Sequence, residues 1–229
     1  MSAMHPAVSS AFPTSFAHFG QTLGPPCADA TPLSELLAAT RLPSVAARYA
    51  ASFPGAGKHA ALSSWSQYYL LALVPCATAA ALAAQQDLPV ALDGMGAVLT
   101  ERGQPCRLCV PHGGCDTVEA CPVRRLAPLL RYHLDPLSEA LSVAGLSKRI
   151  FWSNAAAVLA WSLGVIAAPE ADRAAIRASM CARDWADGGA NPFRDVVGAD
   201  PARRRVCCLR FRLGERCGDC PTGAVPQRS

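Results

Sequence analysis

Four cysteines near the C-terminus constrain this chain more than any other feature. They lie within fourteen residues, as an adjacent pair, an eight-residue gap and a knuckle of C-x2-C spacing: Cys207, Cys208, Cys217 and Cys220. The knuckle lets two sulfurs face one metal centre. Adjacent side chains of an extended chain point in opposite directions, so the backbone must turn at the pair for both sulfurs to reach that centre. We therefore expect a looped, cysteine-ligated segment at the end of the fold.

Three interpretations of this motif are compatible with the residues. Four thiolates hold [2Fe–2S] and [4Fe–4S] clusters alike. Four thiolates also hold structural zinc, but zinc prefers two knuckles, and the adjacent pair departs from that spacing. Disulfides or idle thiols are the third interpretation, although an odd count of eleven cysteines excludes complete pairing. The residues alone favour an iron–sulfur cluster and leave zinc open.

The composition predicts a mainly helical fold. The chain has 229 residues, of which 51% are hydrophobic and 7% aromatic, so Ala, Leu and Val must build most of the core. Alanine abundance favours helix. We expect a mainly α protein with one small β-hairpin, arranged as a flexible lead-in (1–30), a helical substrate-binding body (31–200, with the hairpin near 89–100) and a cluster-binding C-terminal segment (201–229).

One apolar stretch, residues 63–84, has nearly the length of a membrane span. Pro75 interrupts it, and its many alanines contribute little transfer energy, so we predict a buried, Pro-kinked pair of helices and no transmembrane segment. Residues 1–40 contain no Lys or Arg, which argues against a secretory or twin-arginine signal. We expect a cytoplasmic protein with reduced thiols, and peripheral contact with the inner membrane stays open.

A second group of cysteines could hold another metal ion. Cys106, Cys109, Cys115 and Cys121 surround His112, and Cys106 with Cys109 forms a good knuckle. Zinc bound by the first three cysteines and either His112 or Cys121 is sterically plausible. The alternative, which we favour, is a surface loop of reduced thiols.

The C-terminal motif resembles that of the FhuF-like ferric siderophore reductases, which end in C-C-x10-C-x2-C. This chain has a basic run before Cys207-Cys208 and the ending Cys217-Gly218-Asp219-Cys220-Pro221, with a gap of eight residues in place of ten. Three further stretches resemble landmarks of the family: Trp65–Tyr69, His133–Leu137 and Trp152–Ala155. The resemblance covers roughly residues 60–221.

The resemblance implies one-electron reduction of a ferric siderophore, with release of Fe(II), through a [2Fe–2S] cluster held by Cys207, Cys208, Cys217 and Cys220. It requires no catalytic residue beyond the cluster. The expected partners are a ferric siderophore of the hydroxamate type and an external electron donor such as a ferredoxin or a reductase, because the chain lacks a dinucleotide-binding fingerprint. We expect no nucleic acid partner. The alternative is a non-enzymatic zinc or iron–sulfur module that acts as a sensor, a carrier or a nucleic-acid-binding protein.

Two polar residues of the body have open roles. His133 could donate a proton to the released siderophore, but a lone histidine on a helix is more often packed and hydrogen-bonded. Asn154 lies in an apolar helix, and we expect it to tie helices together because a buried amide needs partners.

Overall fold

Helices dominate the computed structural model, which describes residues 6–198, 204–215, 217 and 220–221. The α-helices are α1 (Pro6–Ser10), α2 (Leu33–Leu36), α3 (Leu42–Ala50), α4 (Lys58–Ala79), α5 (Pro122–Arg125), α6 (Ala127–Leu129), α7 (Asp135–Val143), α8 (Lys148–Val165) and α9 (Glu170–Cys181). Short 3-10 segments span Thr14–Gln21, Leu92–Gly94 and Arg210–Leu213, and π segments span Ala80–Ala84 and Leu130–Leu134. The predicted mainly α class is confirmed.

Helix α4 is the centre of the fold and packs most extensively against α8. It is buried on nearly every face, as expected of a helix that is apolar all round. Pro75 lies inside α4 without ending it, so the predicted pair of kinked helices is wrong, and one helix runs on into the π segment Ala80–Ala84. Packing on all sides compensates for the one backbone hydrogen bond that proline removes.

The length and composition of Lys58–Ala84 would allow it to cross a membrane. However, 78% of its most apolar window is buried inside the fold. Its apolar surface therefore forms the protein core.

Within the described residues, six short strands form two small sheets. The strands are β1 (Leu23–Gly24), β2 (Thr31–Pro32), β3 (Gln86–Asp87), β4 (Gly96–Leu99), β5 (Pro105–Cys109) and β6 (Cys115–Asp116). The larger sheet has the order β1-β5-β4-β2, in which only the β1–β5 pair is parallel, and β3 pairs with β6.

The hairpin lies later in the chain than the sequence predicted. Strand β4 lies in the second half of the predicted hairpin region, residues 89–100, but its hairpin partner is β5, in the register Ala97 to Leu108. Residues 89–94 form no strand, because Leu92–Gly94 is a 3-10 turn. The reversal occurs at Gly103, whose φ of +79° favours glycine, and the backbone N–H of Gly103 donates to the Thr100 carbonyl at 2.8 Å.

Much of the predicted flexible lead-in is built into the core instead. Val8, Phe12 and Leu23 are all buried, and β1 adds a parallel strand to β5. Apolar side chains among the prolines and serines account for this packing, which composition alone did not reveal. The predicted boundary between body and cluster segment, at residues 200 and 201, lies outside the described residues.

Candidate metal centre

The C-terminal segment is joined to the helical body just before the cysteine pair. Arg204 forms an antiparallel bridge with Val197, and the Arg205 N–H donates to the Val196 carbonyl at 3.1 Å. These contacts fix the direction in which the chain enters the motif.

Two buried serines then hold the backbone on either side of Cys207. The hydroxyl of Ser153 on α8 donates to the Val206 carbonyl at 3.0 Å, and the hydroxyl of Ser63 on α4 donates to the Cys208 carbonyl at 2.7 Å. Both serine side chains are fully buried. The two central helices thus form the floor on which the cysteine pair lies.

The sulfurs of the adjacent pair face different members of the knuckle. The Sγ atoms of Cys208 and Cys217 are 3.5 Å apart. Cys207 interacts with Cys220, and burial is the main cause that raises the pKa of the Cys207 thiol. The thiols of Cys208 and Cys220 raise this pKa further, whereas the hydrogen bond from the Leu209 N–H lowers it. Cys208 is buried, whereas Cys207, Cys217 and Cys220 are partly exposed.

The eight-residue gap closes through a compact turn. Leu209 has a φ of +63° and Gly214 a φ of +81°, and between these left-handed residues lies the 3-10 segment Arg210–Leu213. An ion pair between Arg210 and Glu215 spans the turn, with Nε and Oε2 2.9 Å apart. The turn brings the chain back so that Cys217 reaches Cys208.

The donor set fits a two-iron cluster. Two thiolates on one tetrahedral metal, with bonds of about 2.3 Å, lie roughly 3.8 Å apart, close to the 3.5 Å between Cys208 and Cys217. A [2Fe–2S] cluster takes four cysteine thiolates, and four cysteines lie in this loop. Within the described ranges, no three cysteine, histidine or acidic side chains converge as a site for a single metal ion.

Asn154 connects two serines of α4, Ser63 and Ser66, with the basic segment in one buried network. Its Nδ2 donates to the Oγ atoms of Ser63 and Ser66, both at 3.1 Å. Its Oδ1 accepts from Gln67 Nε2 at 3.2 Å and from Arg204 Nη1 at 2.8 Å. The expectation that Asn154 ties helices together is confirmed, and the network also reaches the cluster segment.

The arginines near the motif differ in their surroundings. Arg205 and Arg212 are exposed, and Arg212 lies over the ring of Phe211 with 5.8 Å to its centroid. Arg204 is bound to Asn154, and the charge of Arg210 is partly offset by Glu215. Arg203 and Arg216, which extend the basic run in the sequence, lie outside the described residues.

The second cysteine group is not gathered into one site. Cys106 and Cys115 are exposed, Cys109 is buried, and Cys121 is half-buried at the start of α5. The Sγ of Cys109 lies 3.6 Å from that of Cys27, a contact that no spacing in the sequence indicated. In the part of the chain that the structure describes, no metal-binding group of three such side chains is present here.

His133 is a core residue. It is fully buried, its Nε2 lies 2.7 Å from the Tyr69 hydroxyl, and its Nδ1 lies 2.7 Å from the Val90 carbonyl. Since a carbonyl only accepts, Nδ1 carries the proton and Nε2 accepts from Tyr69. Burial lowers the pKa of His133 to about 4. His133 is therefore a packed, hydrogen-bonded core histidine, which was the more common of the two roles expected from the sequence.

Sequence reasoning missed the roles of Ser63 and Ser153. The only local signal was the presence of small hydroxyl residues in otherwise apolar helices. Such residues need hydrogen-bond partners when buried, but the sequence does not say which carbonyls they meet.

Comparison with known proteins relates the chain to one family and to one curated relative. The family model described as "Ferric iron reductase FhuF-like transporter" matches residues 63–205, and the "FhuF 2Fe-2S C-terminal domain" matches residues 204–221. A curated relative from Escherichia coli (strain K12), "Ferric siderophore reductase", is 30% identical over 170 residues. That alignment covers 69% of this chain and 64% of the relative, slightly under two thirds of its length.

The matched residues contain the features described above. Residues 63–205 begin at Ser63 and contain Asn154 and Arg204, and residues 204–221 contain all four candidate ligands. The second match indicates a [2Fe–2S] cluster in this segment. Because the first match covers more than half of the chain's 229 residues, the chain belongs to the FhuF-like family.

Proposed function

We propose that this chain is a ferric siderophore reductase whose [2Fe–2S] cluster is held by Cys207, Cys208, Cys217 and Cys220. The observation that most supports this proposal is the closed loop in which the Sγ atoms of Cys208 and Cys217 lie 3.5 Å apart. Hydrogen bonds from Ser63 on α4 and Ser153 on α8 hold this loop against the two central helices. The family and the name of the curated relative support the substrate class.

The chemistry needs one electron and no acid–base dyad. When bound, the cluster supplies that electron at a potential set by its ligands and surroundings. The siderophore's hard oxygen ligands hold Fe(III) tightly and Fe(II) poorly, so a ferric chelate that accepts one electron becomes a labile ferrous chelate. We expect a hydroxamate siderophore, as the family resemblance implies.

The residues of this chain hold the site and attract the substrate. Ser63 and Ser153 fix the backbone around Cys207, while the partial exposure of Cys207 and Cys220 leaves one side of the loop open to a chelate. Exposed Arg205 and Arg212 provide positive charge beside it, which favours an anionic chelate or an acidic donor protein.

The remaining assignments are also proposals. Electrons come from an external donor such as a ferredoxin or a reductase, and the reaction takes place in the cytoplasm. Residues 31–200 form the substrate-binding body, and residues 201–229 form the cluster segment.

A single-turnover experiment tests the function. Anaerobically purified protein, reduced with dithionite and desalted, is mixed with a ferric hydroxamate, while cluster absorption and chelator-trapped Fe(II) are followed together. We expect reoxidation of the cluster with one Fe(II) released per reduced chain. The gallium(III) form of the same siderophore, which is not reduced, is the control.

Two outcomes contradict the proposal. A reduced cluster that persists in the presence of ferric siderophores would identify a sensor or carrier instead of a reductase. Stoichiometric zinc without iron in the purified protein would identify a zinc module.

A further inference from the structure

One peptide group within the cluster loop connects the helical body to a ligand sulfur. The carbonyl of Cys208 accepts from Ser63 Oγ at 2.7 Å. The N–H of the same peptide group, which belongs to Leu209, donates to the Sγ of Cys207 at 3.4 Å. The C=O and N–H of a planar trans peptide point in opposite directions, so whatever fixes the carbonyl also aims the N–H.

The contacts of Asn154 direct the hydroxyl proton of Ser63 towards the Cys208 carbonyl. Gln67 and Arg204 are donors at Asn154 Oδ1, which fixes the orientation of the Asn154 amide. The Asn154 Nδ2 therefore donates to Ser63 Oγ at 3.1 Å. Because Ser63 Oγ accepts there, its own proton is left for the Cys208 carbonyl.

The backbone at this peptide group is unusual. Leu209 has a φ of +63°, a conformation that residues other than glycine rarely adopt, so its neighbours must hold it in place. Ser63 is fully buried and Cys208 is 1% exposed, so water does not replace the hydrogen bond between them. The contacts of Ser63 are thus suited to keeping this peptide group in one orientation.

We propose that Ser63 is a positioning residue that raises the reduction potential of the cluster, by aiming the Leu209 N–H at the sulfur of Cys207. This inference rests on the proposed cluster. A hydrogen bond to a ligand sulfur favours the more negative, reduced cluster, and hydrogen bonding to the sulfurs is a known influence on its potential. The Leu209 N–H is a backbone donor that lies within hydrogen-bond distance of a candidate ligand sulfur.

The chain offers a matched control. Ser153 donates to the Val206 carbonyl at 3.0 Å, in the same loop and from an equally buried position. Ser153→Ala removes a comparable hydrogen bond but leaves the Cys208–Leu209 peptide in place. Ser63→Thr keeps the hydroxyl and tests for rescue.

A redox titration of the three variants, followed by EPR, tests the proposal. We expect Ser63→Ala to lower the midpoint potential, changing the oxidised-to-reduced ratio at fixed potential by about two- to tenfold, where tenfold corresponds to about 59 mV. Ser153→Ala, which leaves the Cys208–Leu209 peptide group held by Ser63, should shift the potential clearly less than Ser63→Ala, and Ser63→Thr should stay near wild type. A loaded Ser63→Ala protein with the wild-type potential, or equal shifts in Ser63→Ala and Ser153→Ala, would overturn the proposal.

A measurement on the wild type keeps the proposal testable if Ser63→Ala fails to hold iron. In protein labelled with ¹⁵N only at leucine, the reduced cluster should show a ¹⁵N hyperfine coupling from the amide of Leu209. No leucine coupling in loaded wild-type protein would overturn the inference, whatever the variants do. A wild type without any cluster would instead refute the proposed function.

Discussion

The hydroxyl of Ser63 and the carbonyl of Cys208 lie 2.7 Å apart, although 145 positions separate the two residues in the chain. This contact joins the central helix α4 to the loop that carries the candidate iron ligands. The buried amide of Asn154 donates to the same serine and accepts from Arg204. Replacing the Asn154 side chain should therefore lower the stability of the helical body and weaken the attachment of the cysteine loop to it.

We expect Asn154→Ala to destabilise the protein by about 1–3 kcal/mol, because it leaves the donors of Gln67 and Arg204 without their buried acceptor. Urea unfolding measures the change, and iron content after dialysis should fall. Ser162→Ala is the control, since Ser162 Oγ donates to the Val158 carbonyl one turn back in the same helix, α8. Equal effects of the two substitutions would contradict a special role for Asn154.

Acid should destabilise the fold through His133. Its pKa of about 4 in the folded protein lies below its ordinary value of 6.5, so the unfolded chain binds this proton more readily. The contribution of His133 to stability is complete above pH 6.5 and is lost as the pH falls towards 4. Between pH 7 and pH 4.5 we expect a loss of about 2 kcal/mol.

Comparison with His133→Gln isolates this contribution. The variant should show a flatter dependence of unfolding free energy on pH between 7 and 4.5, whatever its absolute stability. Parallel curves for the variant and the wild type would show that His133 does not titrate as its burial indicates.

The helical class and the position of the cysteine loop could be predicted because both depend on local patterns. Alanine-rich, apolar segments favour helix, and the spacing from Cys207 to Cys220 is a short-range signal. The contact between Ser63 and Cys208 could not be predicted, since nothing local specifies which carbonyl a buried hydroxyl meets.

The hairpin was misplaced for a related reason. Asp93-Gly94 is a typical turn signal, but it lies in a 3-10 segment, and the reversal uses Gly103 instead. Two apolar segments, 89–94 and 105–109, could each have paired with β4. Only the tertiary structure decides between them, because β5 also pairs with β1 from the N-terminal segment.

The second cysteine group should be dispensable for the cluster. In a variant with Cys106, Cys109, Cys115 and Cys121 all replaced by Ala, we expect two irons per chain, as in the wild type, because these thiols are dispersed over exposed and buried positions. Metal analysis of both proteins measures this. Stoichiometric zinc in the wild type, or loss of half the metal in the variant, would reveal a real second site.

Exposed arginines should govern the encounter with charged partners. Replacing Arg205 and Arg212 by Gln should slow reduction of an anionic ferric chelate. The rate should also depend less on salt, because salt screens the same electrostatic attraction that the two substitutions remove. The midpoint potential should fall by an amount on the order of tens of millivolts, since positive charge favours the reduced cluster.

Arg124→Gln is a suitable charge control. Arg124 forms an ion pair with Glu119. It lies on α5, a helix that packs against α9. If the double variant of Arg205 and Arg212 has the wild-type reduction rate and midpoint potential, these arginines are solvent-exposed surface residues without an electrostatic role in the reaction.

The central claim is that one [2Fe–2S] cluster is held by Cys207, Cys208, Cys217 and Cys220. Its most direct test is iron content together with the EPR spectrum of the reduced protein, for each Cys→Ser variant of these four and for Cys106→Ser, an exposed cysteine outside the site. We expect two irons per chain and an unchanged spectrum for the wild type and Cys106→Ser. Each of the four ligand variants should lose or strongly alter both, whereas a wild-type spectrum from Cys217→Ser would contradict the account.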